Sequence, residues 1–515
     1  MSSSSSSRCL RLLEKCKDLK ELNQAHGQVI TSGLSHNTFA HSRLLAFFSS
    51  PHNLGTTRRR TGSISYAWEI FEKIQEPTVC IVNTMIKAFF LSNELTRTVG
   101  MYKHMLQIGM CPDNYTFPYL LKACSDMESY SLGSSIHGQC LKFGFLADTY
   151  VGNSLISMYS ELGVMKDARY VFDEMPSHCV VTWTVLISGY SRTGDVFEAR
   201  LVFDETPVKD RGVWGSMISG YVQNNCFKEG LQMFRVMQMT GVQPDEMILV
   251  SILSACAQLG SLDNGKWVHR YLEKLGMAMT VRLGTALVDM YAKCGRLDFA
   301  RELFEKMPVR DVVCWNAMIS GFAMNGRGEK AMALFQEMQN SGTRPDDITL
   351  ISLLTACTTC PGMASEGLRL LSVMCNTYNI QPKGEHYGCL IHLFSKEGFL
   401  EEARNLVQSA HTEDKDEEEE DGSVVAWRAL LSGCVDHGEV CLAEAAAEKI
   451  FRLERHDGAY VLLSNLYAAA GRHDGANRLR KMMRKKKELI DKKTPGCSSV
   501  EINGVVHEFL AGEKL

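Results

Sequence analysis

Between Val312 and Asp346 the apolar positions fall at two helical rhythms separated by a polar break. Trp315, Met318, Ile319 and Phe322 stand at i, i+3, i+4 and i+7, and after "NGRG" the same spacing returns in Ala331, Leu334, Phe335 and Met338. This predicts a helical hairpin, with Gly326 and Gly328 in the turn and Gly342 with Pro345 ending the second helix. A lone hairpin cannot bury both stripes, so neighbours must stack on it.

The rest of the chain supplies those neighbours. "ISGY", "ISGY" and "ISGF" begin at Ile187, Ile218 and Ile319, "LLKACS", "ILSACA" and "LLTACT" place alanines at 123, 255 and 356, and "ISMYSELG" and "VDMYAKCG" begin at Ile156 and Val288. The offsets of 31, 101 and 132 residues resolve into units of 31 and 35, and a fixed period of this size signals a solenoid of repeats. The expectation is therefore all-α: a right-handed superhelical solenoid of stacked helix-turn-helix units.

The endings "GMCPD", "GVQPD" and "GTRPD", the opening "WNAMISGF" and the alternation of long and short units resemble pentatricopeptide repeats of the plant P-L-S type. In that register a possible transit segment covers 1–15 and a partial long unit 16–37. A repeat array then fills 38–411, as units 38–78, 79–113, 114–148, 149–179, 180–210, 211–245, 246–280, 281–311, 312–346, 347–383 and 384–411. An acidic insertion follows at 412–422, two helical pairs resembling the family's E-type extension at 423–493, and the start of the next segment, truncated, at 494–515. The tetratricopeptide repeat, a peptide-binding scaffold, is the competing reading, and its signature residues do not recur.

Composition narrows the class. The chain has 515 residues, 45% hydrophobic and 22% charged, as in a folded soluble protein. It has no apolar run long enough for a membrane helix, so no membrane partner is expected. Eighteen cysteines lie scattered without a framework, which favours a reducing compartment. The start "MSSSSSSRCLRLLEKC" has the serine-rich, basic composition of a transit peptide. An organelle is expected, the mitochondrion ahead of the chloroplast. Net charge is −4, but "TEDKDEEEED" sets eight acids against Lys415, and without it the chain carries +3. The tract reads as a solvated insertion. The basic run Arg480, Lys481, Arg484 to Lys487 is equally a solvated helix face or a phosphate contact.

Catalytic chemistry is not expected, nor any cofactor or metal. "GSLDNGKW" has the glycine–lysine spacing of a phosphate loop but Trp267 where the metal-binding hydroxyl belongs. Some relatives end in a DYW-type cytidine deaminase that needs HxE followed by PCxxC. Here Cys357 and Cys360 precede His411 and Glu413, the reverse order, and Cys357 occupies a core position of its unit. His507 and Glu508 lack the second histidine of a zinc-protease helix.

The resemblance instead implies a reader of single-stranded RNA, one base per unit. It assigns the reading to the fifth and last residues of a unit, which gives Asn83 with Asp113, Asn153 with Cys179, Thr184 with Asp210, Gly215 with Asp245, Thr285 with Asp311, and Asn316 with Asp346. Asn with Asp implies U and Thr with Asp implies G. Asn153 with Cys179 implies a pyrimidine, and Gly215 leaves Asp245 alone to favour G. The long units carry Pro118, Val250 and Ile351 at the fifth place, where no side-chain hydrogen bond is available, and are expected to be permissive. The implied role is site recognition for organellar C-to-U editing, with a DYW-type deaminase recruited in trans through the C-terminal extension. An RNA splicing, stability or translation factor is the alternative.

Overall fold

A computed structural model describes residues 19–32, 38–48, 57–413, 420–453, 458–487, 497–502 and 505–510. The segment at 1–15 lies outside these residues, as do 414–419 of the acidic insertion. The chain divides into two compact units, 1–244 and 245–515.

Within each unit the hairpins stack as the apolar rhythm requires. In the first, Val79–Leu91, Phe117–Asp126, Thr149–Glu161, Val180–Arg192 and Arg211–Gln223 pack side by side, each followed by a second helix on the other layer. In the second, Glu246–Leu259, Val281–Lys293, Val312–Met324, Asp347–Thr359, Gly384–Lys396 and Glu420–His437 do the same, and Val440–Leu453, Gly458–Ala469 and His473–Lys487 extend the stack. The difference between 31- and 35-residue units falls mainly in the second helix. It has ten residues in Met165–Glu174, Val196–Glu205 and Leu297–Lys306, but thirteen in Phe227–Met239, Leu262–Lys274 and Gly328–Asn340. Nearly one turn is removed from the second helix of these units, while their first helices keep thirteen residues.

All eight stripe residues of the 312–346 hairpin are buried. The recurring tryptophan meets the phenylalanine of the preceding second helix edge to face. Trp183 lies 4.8 Å from Phe172, Trp214 4.9 Å from Phe203, and Trp315 4.9 Å from Phe304, between ring centroids. Such pairs contribute ~0.5–1.5 kcal/mol beyond the area they bury. The recurring glycine of "ISGY" sets the approach of successive first helices. A Cβ on Gly189 would lie 2.4 Å from Ser160 Oγ, on Gly220 2.2 Å from Ser191 Oγ, and on Gly321 2.5 Å from Ala292 Cβ. Close to the same junctions Asn224 Nδ2 donates to Ser191 O at 2.7 Å and Asn325 Nδ2 to Ala292 O at 2.9 Å, tying the end of one first helix to that of the previous unit.

The all-α solenoid expectation holds for the repeat array, and one local expectation is corrected. Gly326, at φ 68°, is a turn residue, but Gly328 is the first residue of its helix, and a Cβ there would meet the Ala356 carbonyl oxygen at 2.6 Å. Its small size serves packing, not turning. The all-α expectation also meets one exception. Cys497–Ile502 and Val505–Leu510 form an antiparallel hairpin in which Ile502 pairs with Val505 and Val500 with His507. The intervening Asn-Gly is the strongest short hairpin signal.

Replacing Gly321 by alanine sets two effects against each other. Helix propensity gains ~1 kcal/mol, whereas overpacking against Ala292 costs ~1–3 kcal/mol. We expect Gly321→Ala to lower the urea midpoint. Gly138→Ala, on a helix face with open space around the new methyl, should raise it. Urea unfolding of both variants measures the sign.

Candidate nucleic-acid interface

In most repeats the last residue is also the N-cap of the next first helix, as Asp148, Asp210, Asp245, Asp311 and Asp346 are, whereas Asp113 lies three residues before the cap Thr116. Asp346 Oδ1 accepts from Thr349 N at 2.9 Å, and the same oxygen accepts from Asn316 Nδ2 at 2.9 Å. Thr349 Oγ1 donates to Asn316 Oδ1 at 2.6 Å and accepts from Asp346 N at 3.1 Å. The arrangement recurs almost atom for atom in the other Asn/Asp pair. Asn83 Nδ2 donates to Asp113 Oδ1 at 2.7 Å, that oxygen accepts from Thr116 N at 3.0 Å, and Thr116 Oγ1 donates to Asn83 Oδ1 at 2.8 Å. Each asparagine thus spends one N–H and one lone pair on these contacts; Asn83 is half-buried, and Asn316, which lines the groove described below, is only 5% exposed.

Asn153 and Cys179 meet more loosely, Nδ2 to Sγ at 3.7 Å, and Asn153 Oδ1 has no partner. Partial burial works to raise the Cys179 thiol, yet hydrogen bonds from Thr182 and Asn153 outweigh it and hold the thiol below its ordinary value. Thr184 and Asp210 flank Gly212, whose Cβ would lie 3.8 Å from Thr184 Oγ1 and 3.4 Å from Asp210 Oδ1. Thr184 Oγ1 donates back to Val180 O at 2.9 Å, so only its lone pairs face outward. Asp210, Asp245 and Asp311 cap through Val213, Ile248 and Cys314 N at 3.0, 3.0 and 2.9 Å. Gly215 offers no side chain.

In the second unit Thr285, Asp311, Asn316 and Asp346 line one groove of about 620 Å³. Val313 and Ile348 line it too, 57% and 56% exposed. These are second residues of their repeats, and in the first unit Tyr115, Tyr150 and Val181 hold the same place, equally exposed. An apolar or aromatic surface beside a hydrogen-bonding pair is a platform for a flat ring. The sequence carried the signal: each is apolar yet off the buried stripe. Of the permissive positions Val250 lines the groove, while Pro118 is buried.

The remaining motifs are structural. Gly260 ends Glu246–Leu259 in the left-handed conformation, and a Cβ on Gly265 would lie 2.3 Å from Met290 Sδ, so "GSLDNGKW" is a helix junction with no preceding strand. Cys357 is fully buried, and burial pushes its thiol up to about 12. No group of three His, Cys, Asp or Glu among the described residues could hold a metal. His507 and Glu508 fall on a strand. The side chains of His411 and Glu413, and of Arg484 to Lys487, lie outside the described residues.

Comparison with known proteins identifies the family. Residues 310–359 match the PPR repeat family, and 153–180, 181–209, 212–242, 285–312 and 385–411 match the PPR repeat. A pentatricopeptide repeat-containing protein of Arabidopsis thaliana is 41% identical over 503 residues, covering 97% of this chain and 90% of the relative. The chain is a pentatricopeptide repeat protein. Residues 437–501 match the E motif, within the expected extension and slightly beyond it. A second Arabidopsis thaliana member, named chloroplastic, is 35% identical over 610 residues, 98% of this chain and 80% of its own length. Among solved structures, a pentatricopeptide repeat protein in complex with an 18-nt psaJ RNA element aligns over 93% of this chain and 82% of its own, at 16% identity and a TM-score of 0.45. Family descriptions and relatives' names alike are those of repeat proteins, in keeping with the non-enzymatic reading.

Because Asp346 is both cap and anchor, Asp346→Ala should destabilise by about 1–2 kcal/mol, the usual cost of a lost N-cap. Asp346→Ser, which can still cap, should recover most of it. Chemical denaturation of the two variants against wild type gives the comparison.

Proposed function

We propose that this protein is a sequence-specific reader of single-stranded RNA of the P-L-S type, acting as a site-recognition factor for C-to-U editing in an organelle and recruiting a deaminase in trans through its E extension. The observation that carries the reading is the pairing of each fifth-place asparagine with the last residue of its repeat, with free amide groups left beside an exposed apolar residue. The E motif and the chloroplastic naming of relatives support the editing role and the organelle.

The chemistry of the pairs matches the assigned bases. Thr184, with its proton spent on its own helix, joins Asp210 as an acceptor-only pair, suited to the N1–H and N2–H donors of guanine. Asn316 retains one donor and one acceptor, suited to the O4 and N3–H of uracil. With the N-terminal repeat toward the 5′ end and unit 384–411 four nucleotides before the edited base, the site is 5′-U-N-Y-G-G-N-G-U-N-N-N-N-N-C.

Asn316→Thr should move the preference at its nucleotide from U toward G, with the old base losing on the order of 1–3 kcal/mol by analogy with bidentate base contacts. Binding to RNAs varied at that one nucleotide, at fixed salt, measures it. Equal affinity for all four bases in both proteins would exclude base reading by this groove. Sequencing organellar RNA from plants lacking the protein tests the editing role. One cytidine should remain unedited, whereas intact editing with a splicing defect would assign the groove to splicing.

A further inference from the structure

The third residue of each repeat from 79 onward is buried, and from 114 onward its identity follows the fifth residue of the repeat before it. Where the fifth residue is asparagine (Asn83, Asn153, Asn316), the third residue of the next unit is threonine: Thr116, Thr182, Thr349. Where it is Pro118, Thr184, Gly215, Val250, Thr285 or Ile351, the next unit has Val151, Val213, Ile248, Leu283, Cys314 or His386 instead. All three threonines are fully buried. A hydroxyl in a position otherwise mostly apolar is costly unless it is hydrogen-bonded. In two of the three cases the bond goes to the asparagine amide oxygen, at 2.8 and 2.6 Å.

We propose that Thr116 and Thr349 are positioning residues for base selection: each fixes the amide of the preceding asparagine in the one orientation that favours uracil over cytosine. The inference rests on the RNA-reading role and adds to it the residue that separates the two pyrimidines. Uracil shows an acceptor at O4 and a donor at N3, whereas cytosine shows a donor at N4 and an acceptor at N3. A given amide orientation therefore fits one pyrimidine in a given pose, and the flipped amide fits the other. Asp346 holds the nitrogen end of Asn316, and Thr349 holds the oxygen end. With both ends held, the amide plane is set. A flip would bring the asparagine oxygen against the Asp346 carboxylate and turn the N–H toward a hydroxyl oxygen that already accepts from Asp346 N. With the aspartate alone, the amide pivots about a single bond.

Unit 149–179 shows the incomplete case. Cys179 replaces the aspartate, Thr182 Oγ1 lies 3.3 Å from Cys179 Sγ, and Asn153 Oδ1 is left without a partner. This amide is loosely held at one end, and its buried oxygen has no partner at the other, which fits the pyrimidine without further choice proposed for this position.

The test uses the full chain and RNAs of the order given above, with U or C at the nucleotide facing unit 312–346 or unit 149–179, at fixed salt. Thr349→Val should cut the U-over-C affinity ratio at its own nucleotide threefold or more and leave selectivity at the other nucleotides unchanged. Thr349→Ser, which restores the hydroxyl, should keep the wild-type ratio. Cys179→Asp should raise the U-over-C ratio at its nucleotide. It changes an exposed cap, so it decides the matter even if Thr349→Val does not fold. An unchanged ratio in Cys179→Asp, or in a folded Thr349→Val, overturns the inference while leaving base reading by asparagine intact. Indifference of the wild-type protein to the base would remove the base reading itself, and this role with it.

Discussion

A two-helix repeat has more apolar surface than it can cover, and this protein resolves the deficit by bringing successive first helices nearly into backbone contact. Gly189 on Ser160, Gly220 on Ser191 and Gly321 on Ala292 leave no room for even one added methyl group. Close approach fixes the translation from one repeat to the next, because helices that touch through side chains can slide and re-pack more easily than those held backbone to small side chain. Trp183, Trp214 and Trp315 then close the outer side of the same junction against the preceding second helix.

The candidate interface depends on that rigidity. The fifth residue of a first helix and the cap of the next stand on different helices, yet Asn83 reaches Asp113 at 2.7 Å and Asn316 reaches Asp346 at 2.9 Å. Hydrogen bonds this short between elements require the helices to be placed to within a few tenths of an ångström.

Much of the fold was legible because helical periodicity and repetition reinforce one another. Trp315, Met318, Ile319 and Phe322 identify a buried face alone, and their recurrence fixes the unit. Chemistry inside the repeat was harder to see. Gly328 resembles a turn residue because glycine serves both turning and close packing, and only the position of Ala356 separates the two. Exposure of Val313 and Ile348 follows from their angle on the helix, so periodicity could have found them, but nothing in the periodicity places them in the same groove as Asn316. Thr349 was hidden for a different reason: its position is core by periodicity, and its value lies in one hydrogen bond across a repeat boundary. The C-terminal hairpin escaped because its strands are six residues each, too short to compete with the helical rhythm of the rest.

The double duty of the cap residue limits the vocabulary of such a protein. Any letter written at the last position of a repeat must also begin a helix, and the residues that do so well are few. Between units 79–113 and 347–383 aspartate fills six of these places, with Cys179, Thr280 and Lys383 as the departures. Rewriting the message by changing this residue alone taxes the scaffold each time, whereas rewriting it at the fifth residue leaves the cap in place. Where such pairs read bases as proposed, the fifth residue is then the freer variable, because it changes the reading without unmaking a helix start.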